Sequence, residues 1–90
     1  MKMFDLRPVD NRKSFYGKCS VIEKNGAYFL RSYNTIVCGL SKSGKFSRYW
    51  GGYSATTQRH IDSFCAYFNI AGGGKKWWEG QPVRALRATL

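Results

Sequence analysis

The sequence predicts an α+β fold: a three-stranded antiparallel β-meander followed by one packed α-helix, with an apolar-basic C-terminal tail. Three observations carry that prediction. Residues 14–23 alternate in polarity and run into Asn25-Gly26, the strongest short-range hairpin signal, because both turn positions want positive φ. The chain beyond is dense in aromatic and β-branched residues, and its stretch Ser32-Tyr33-Asn34-Thr35-Ile36-Val37 contains no helix breaker, so it reads as strand. Gly51-Gly52 then interrupts the strand pattern ahead of Tyr53-Ser54-Ala55-Thr56-Thr57-Gln58-Arg59-His60, where Ser54 or Thr56 can cap a helix.

Taken in order, residues 1–13 mix charge with Pro8 and show no period, which predicts an irregular N-terminal arm anchored through Phe4 and Leu6. Residues 14–70 form the expected βββα domain. A two-residue turn at Asn25-Gly26 sets Lys24 opposite Ala27, Val21 opposite Leu30 and Cys19 opposite Ser32. Opposed residues share a face, so Phe15, Cys19 and Val21 stand with Tyr28, Leu30, Ser32, Asn34, Ile36, Cys38 and Leu40 on the side that meets the helix. On this reading the second strand runs unbroken to Leu40, and Ser41-Lys42-Ser43-Gly44 turns into the third. A two- or four-residue loop there sends Phe46, Arg48 and Trp50 to the face of Arg31 and Tyr33; a three-residue loop reverses the assignment. The helix is expected over residues 55–68. Thr57, Ile61, Phe64, Cys65 and Phe68 form its buried stripe, with Arg59, Asp62, Ser63 and Ala66 outward. Residues 71–90 form a Gly-rich joint, Gly72-Gly73-Gly74, and a basic tail holding Trp77 and Trp78.

Ninety residues are enough for one domain, and 15 Lys and Arg against 5 acids give a formal net charge of +10. Such a surface attracts polyanions by long-range steering and counterion release, so the expected partner is nucleic acid, DNA or RNA, alone or in a nucleoprotein. Three cysteines, Cys19, Cys38 and Cys65, cannot all pair within one chain; free thiols and a cytoplasmic setting are expected. Cys-x-x-Cys knuckles are absent, and His60 and Cys65 stand about 140° apart on a helix, so neither zinc nor another cofactor is expected. The chain has no secretory apolar region and no apolar run of membrane-spanning length, so no membrane partner is expected. One histidine and five scattered acids leave little acid–base equipment, and the protein is not expected to be an enzyme.

The residues expected to bind are Lys18, Arg31, Tyr33, Arg48, Trp50, Arg59, Lys75 and Lys76. On the even-loop register Tyr16, Lys18, Phe29, Arg31, Tyr33, Phe46, Arg48 and Trp50 share one sheet face, a platform where bases stack and phosphates find charge. In the competing arrangement Trp77, Trp78 and Val83 fold over those rings as a second core layer and leave only the Lys and Arg tips wet. Arg59 falls in the first two turns of the helix, whose start presents amide donors suited to phosphate. Ser54 itself is read as an ordinary cap. Lys75 and Lys76 follow a glycine run without the spacing of a phosphate loop, so that run is read as flexible.

The phrase Ser32-Tyr33-Asn34-Thr35-Ile36-Val37, followed by Tyr53-Ser54-Ala55-Thr56-Thr57-Gln58-Arg59-His60-Ile61 and Phe64, resembles a family of small uncharacterised domains. That family occurs in phages and mobile elements of Gram-positive bacteria, with a signature of the form SYNT…YSxTTxRHI. The likeness spans residues 27–68. It implies provenance, a small basic phage or mobile-element accessory protein that binds nucleic acid. The alternative it implies is an anti-CRISPR-like inhibitor of a host defence nuclease, acting on a CRISPR effector or its guide RNA.

Overall fold

The computed structural model describes residues 2–8, 15 and 17–86. Its elements are β1 (Lys2–Asp5), β2 (Cys19–Lys24), β3 (Ala27–Ser32), β4 (Thr35–Leu40), β5 (Phe46–Arg48), α1 (Ala55–Tyr67) and α2 (Lys75–Glu79). The fold is α+β, with all neighbouring strands antiparallel. The sheet has five strands in sequence order, not the three expected.

One added strand comes from the N-terminal arm. β1 pairs along β2 with Lys2 opposite Glu23 and Phe4 opposite Val21, and the Leu6 amide then donates to the Cys19 carbonyl at 3.0 Å. Phe4 and Leu6 do anchor on the core, but through a paired edge strand. Four residues at a sheet edge are too few to display a period of two, so only the partner strand reveals them.

The other added strand comes from a reversal inside the run read as continuous. The chain turns at Tyr33-Asn34, Ser32 pairs with Thr35, and Tyr33 takes a left-handed φ of 55°. Its amide donates to the Lys18 carbonyl at 2.8 Å. Asn34 is a turn former; β-branched neighbours on both sides hide it, because both arms of a hairpin read as strand. Beyond the turn the register slips: Arg31 faces Ile36 but Leu30 faces Cys38, leaving Val37 as an extra residue pressed into the core.

Asn25-Gly26 behaves as its composition demands, with φ of 54° and 83° and the pairs Lys24–Ala27, Val21–Leu30 and Cys19–Ser32. The next loop decides a face. Leu40 pairs with Phe46, so the loop between them holds an odd number of residues, and Cys38 pairs with Arg48. Phe46 and Arg48 therefore stand on the helix side, opposite to the side expected from an even loop. On the outer side Gly39 lets two rings close over it: an added Cβ would lie 3.0 Å from Phe29 and 3.1 Å from Tyr49.

α1 begins where predicted, with Ser54 Oγ accepting from the Thr57 amide at 3.1 Å. Ile61, Phe64 and Cys65 bury against Val21, Leu30 and Cys38 of the sheet. Gln58, His60 and Ser63 are buried as well, so the covered face of α1 is wider than the expected stripe and Ser63 is not outward. The tail returns to the same side of the sheet. Trp78 is buried in the core and its indole N–H donates to the Gly52 carbonyl at 2.9 Å. Trp77 meets Phe46 at 5.0 Å, and Val83 bridges to Arg48. Full burial of Trp78, Phe64, Leu30 and Ile61 supplies roughly 1.5–3 kcal/mol per side chain.

The three cysteines are free and buried. Burial, with Asp5 nearby, pushes the Cys19 thiol up to about 12; burial and Asp62 push Cys65 to about 12. Burial likewise raises Cys38. Among the described residues no helix is long and apolar enough to cross a membrane.

Candidate nucleic-acid interface

Ser32 ends β3 on the helix side, and Thr57 and His60 lie one turn apart on the face of α1 that meets it. Ser32 Oγ sits 3.1 Å from Thr57 Oγ1 and 2.7 Å from His60 Nδ1, all within the buried interior. Burial, with the Arg59 charge beside it, lowers the His60 pKa to about 4. The imidazole is thus neutral at physiological pH and serves as a hydrogen-bonding ring, not a cation. Phe15 meets it edge-on at 4.4 Å, and the Tyr33 ring lies at 5.7 Å. This polar knot fastens the Tyr33-Asn34 turn to the first two turns of α1. It offsets the strain of the left-handed Tyr33, of order 1–3 kcal/mol.

What the knot presents to solvent is an aromatic ring among cations. Tyr33 is 46% exposed, and the Lys18 ammonium lies 5.6 Å from its ring centroid. The Arg59 guanidinium lies 5.2 Å from the neighbouring Phe15 ring. A second such pair stands just before the Ser54 cap. Tyr53 is 39% exposed, with the Lys75 ammonium 4.9 Å from its centroid. Both tyrosines therefore flank the opening turns of α1, whose first turn carries no acidic residue. The helix dipole there favours negative charge.

The expected site residues separate into groups. Lys18, Tyr33 and Arg59 come together at the β3–β4 turn. Lys75 pairs with Tyr53, and Lys76 is exposed on α2 one residue further on. Arg31 is half-buried on the outer sheet face with Ile36, away from the turn cluster. Trp50 is half-buried, its ring folded over Gly52 and packed against the core. Tyr16 lies outside the described residues.

Arg48 departs furthest from expectation. It is 6% exposed, and its guanidinium donates to the carbonyls of Trp50 at 2.9 Å, Trp78 at 3.0 Å, Gln81 at 3.2 Å and Gly52 at 3.3 Å. It also lies 4.5 Å from the Trp78 ring. The odd loop turns it inward, where it latches the tail to the sheet, and the single-face platform does not assemble. Sequence reasoning missed Tyr53, whose only local mark is its place beside a helix cap; its cation arrives from a distant helix.

Fold and surface together define a small basic α+β domain: a five-stranded meander covered on one side by α1, with cation-bearing tyrosines at the start of that helix. The chain belongs to the family of unknown function DUF8033, whose profile matches residues 4–80. That match takes in β1 and α2 as well as the central segment. No curated protein and no solved structure matches the chain.

Proposed function

We propose that the protein is a nucleic-acid-binding accessory module of a phage or mobile element, and that it binds through the turns around the start of α1. The observation that carries this reading is the pair of exposed tyrosines, 46% and 39% accessible, each accompanied by a lysine ammonium. A base stacked on such a ring contributes roughly 1–3 kcal/mol, and the adjacent ammonium is placed for the phosphate that follows. Lys18, Arg59 and Lys75 supply that charge; Lys76 and Arg31 lie at the periphery and add to the long-range field. The net charge of +10 makes the association salt-dependent.

Fluorescence anisotropy against labelled DNA and RNA at several salt concentrations tests this. Tyr33→Ala and Tyr53→Ala should weaken binding without changing the salt slope. Lys18→Ala and Lys75→Ala should each flatten that slope by about one ion. Unchanged binding in all four variants would rule the surface out. Recovery from host lysate, with and without nuclease treatment, separates the mechanism from its rival. A stoichiometric protein that survives nuclease treatment would mean inhibition of a host defence effector instead.

A further inference from the structure

Duplex DNA is commonly read by an α-helix or a two-stranded β-ribbon laid in its major groove, about 12 Å wide. Among the described residues this fold offers neither. Of the 13 residues of α1, Ala55 and Thr56 at the start and Ala66 and Tyr67 at the end are exposed, and none between them is. Half-buried Asp62 stands midway, accepting from Gln58 Nε2 and from the Gly74 amide at 2.9 Å each. The solvent side of the helix therefore carries an acid at its centre. β2 is flanked by β1 and β3, and β3 by β2 and β4, along nearly their whole lengths, so no ribbon projects. Five strands about 4.8 Å apart make a sheet roughly 19 Å across, too wide for the groove.

What the surface does offer is two rings on anchored backbone, set apart from one another. Tyr33 is placed by its turn, where its amide donates to the Lys18 carbonyl at 2.8 Å and Ser32 Oγ meets Thr57 Oγ1 at 3.1 Å. Tyr53 is placed from the other end of the chain. The Trp78 indole and the Arg48 guanidinium both donate to the Gly52 carbonyl, at 2.9 and 3.3 Å, and Ser54 caps the helix just beyond. The Tyr33 ring lies 5.7 Å from the His60 ring. Ser54 stands six residues before His60, about 9 Å along the helix axis, with Tyr53 one residue further. Successive bases of a duplex strand are about 3.4 Å apart along the axis, each covered on both faces by its neighbours. Two rings so separated reach base faces only where the bases have come away from one another.

We infer that the ligand of this surface is a single strand, with two separated bases stacked on Tyr33 and Tyr53 and their phosphates beside Lys18 and Lys75. This rests on the nucleic-acid reading and adds to it a strand type. Charge works the other way. A duplex releases about 0.9 counterions for each phosphate neutralised, against about 0.7 for a single strand. A net charge of +10 acting alone therefore favours the duplex. A preference for the single strand is the mark of the rings, because stacking needs an uncovered base face.

The test uses the full chain and three labelled probes of about twelve nucleotides: oligothymidylate, a blunt duplex of the same length, and an abasic strand that keeps every phosphate. At a salt concentration of about 0.15 M, oligothymidylate should bind about tenfold more tightly than either of the others. Tyr33→Ala and Tyr53→Ala should each reduce that preference several-fold. Together they should abolish it while leaving duplex affinity within about twofold. If Tyr33→Ala lowers the melting temperature, Tyr53→Ala and the abasic strand on the native protein decide. Duplex bound as tightly as oligothymidylate, or more so, would overturn the inference and leave nucleic-acid binding standing. An abasic strand bound as well as oligothymidylate, or a preference that survives loss of both rings, would also overturn it. Absence of binding by every probe would remove the inference and the reading beneath it together.

Discussion

At the β5 edge, the Arg48 guanidinium lies 4.5 Å from the Trp78 ring, with its N–H groups donating to carbonyls of the loop after β5 and of the tail. At the β3–β4 turn, the Lys18 ammonium lies 5.6 Å from the Tyr33 ring, with both residues exposed. The two pairs share residue chemistry and differ in what surrounds them. Arg48 is a planar fork that makes four bonds at once, to the carbonyls of Trp50, Trp78, Gln81 and Gly52. Lys18 is a solvated point charge beside an exposed ring that packs on His60. The first pair holds the molecule together, and the second is left available to bind.

The sharpest way to break this contrast is at the latch. Arg48→Met removes every donor while keeping the stem, and breaks the four bonds that tie the loop after β5 and the tail to this strand. We expect a loss of about 3–5 kcal/mol in urea unfolding, with α2 detached. Arg48→Lys should recover little of it, because an ammonium cannot reproduce the planar fork. A loss below about 1 kcal/mol would mean that α2 docks through its two tryptophans and that the Arg48 latch adds little. Phe64→Ala, at the centre of the α1 stripe, gives the scale for comparison, about 3–5 kcal/mol.

The turn region should respond to pH through His60. Its folded pKa is about 4 against an ordinary 6.5, chiefly through burial and then through Arg59. The unfolded chain therefore binds more protons between those values. The contribution of the neutral ring is complete above about pH 6.5, declines as pH falls toward 4 and is flat below; at about 1.36 kcal/mol per unit it is of order 3 kcal/mol. Urea midpoints measured across that window should fall in the native protein, and the slope should flatten in His60→Gln. An unchanged slope would place the titration elsewhere.

Ser32→Ala comes next in size. It leaves Thr57 Oγ1 and His60 Nδ1 without their shared partner, and about 1–3 kcal/mol should be lost. The drop should appear together with weaker nucleic-acid binding, because the same bond positions Tyr33. Reduced stability with binding intact would separate the knot from the surface it carries.

What is legible in the chain follows the range of each signal. Asn25-Gly26 sets its hairpin register locally, and Ser54 with the stripe from Thr57 to Phe68 sets α1; each is decided within a few residues. β1 is not legible, because Lys2–Asp5 is recognisable only beside β2. The Tyr33 reversal is hidden because tyrosine is an unusual occupant of left-handed φ, and Asn34 alone does not outweigh its strand-forming neighbours. Arg48 and Phe46 fall on the face opposite to expectation through loop parity, where a single residue inverts every side chain that follows. Lys18, Tyr33 and Arg59 stand out as residues in the sequence, but their grouping needs the turn. The link from Tyr53 to Lys75 needs the tail to fold back.

The smallest expected change in stability is the most informative about Tyr33. Replacing it by glycine removes the ring and also relieves the left-handed φ of 55°, which glycine adopts freely. The relief is of order 1–2 kcal/mol, and it is opposed by the missing packing of the ring on His60 and Lys18. Tyr33→Gly should therefore be neutral to slightly more stable, by up to about 1 kcal/mol, where an ordinary large-to-small change lowers stability. Nucleic-acid affinity should meanwhile fall by roughly 1–3 kcal/mol as the stacking surface disappears. Stability rising while binding falls would mark Tyr33 as a residue kept in a strained place for what it presents. A clear destabilisation would instead make the ring a packing element, and would move the binding surface to Tyr53 and Lys75.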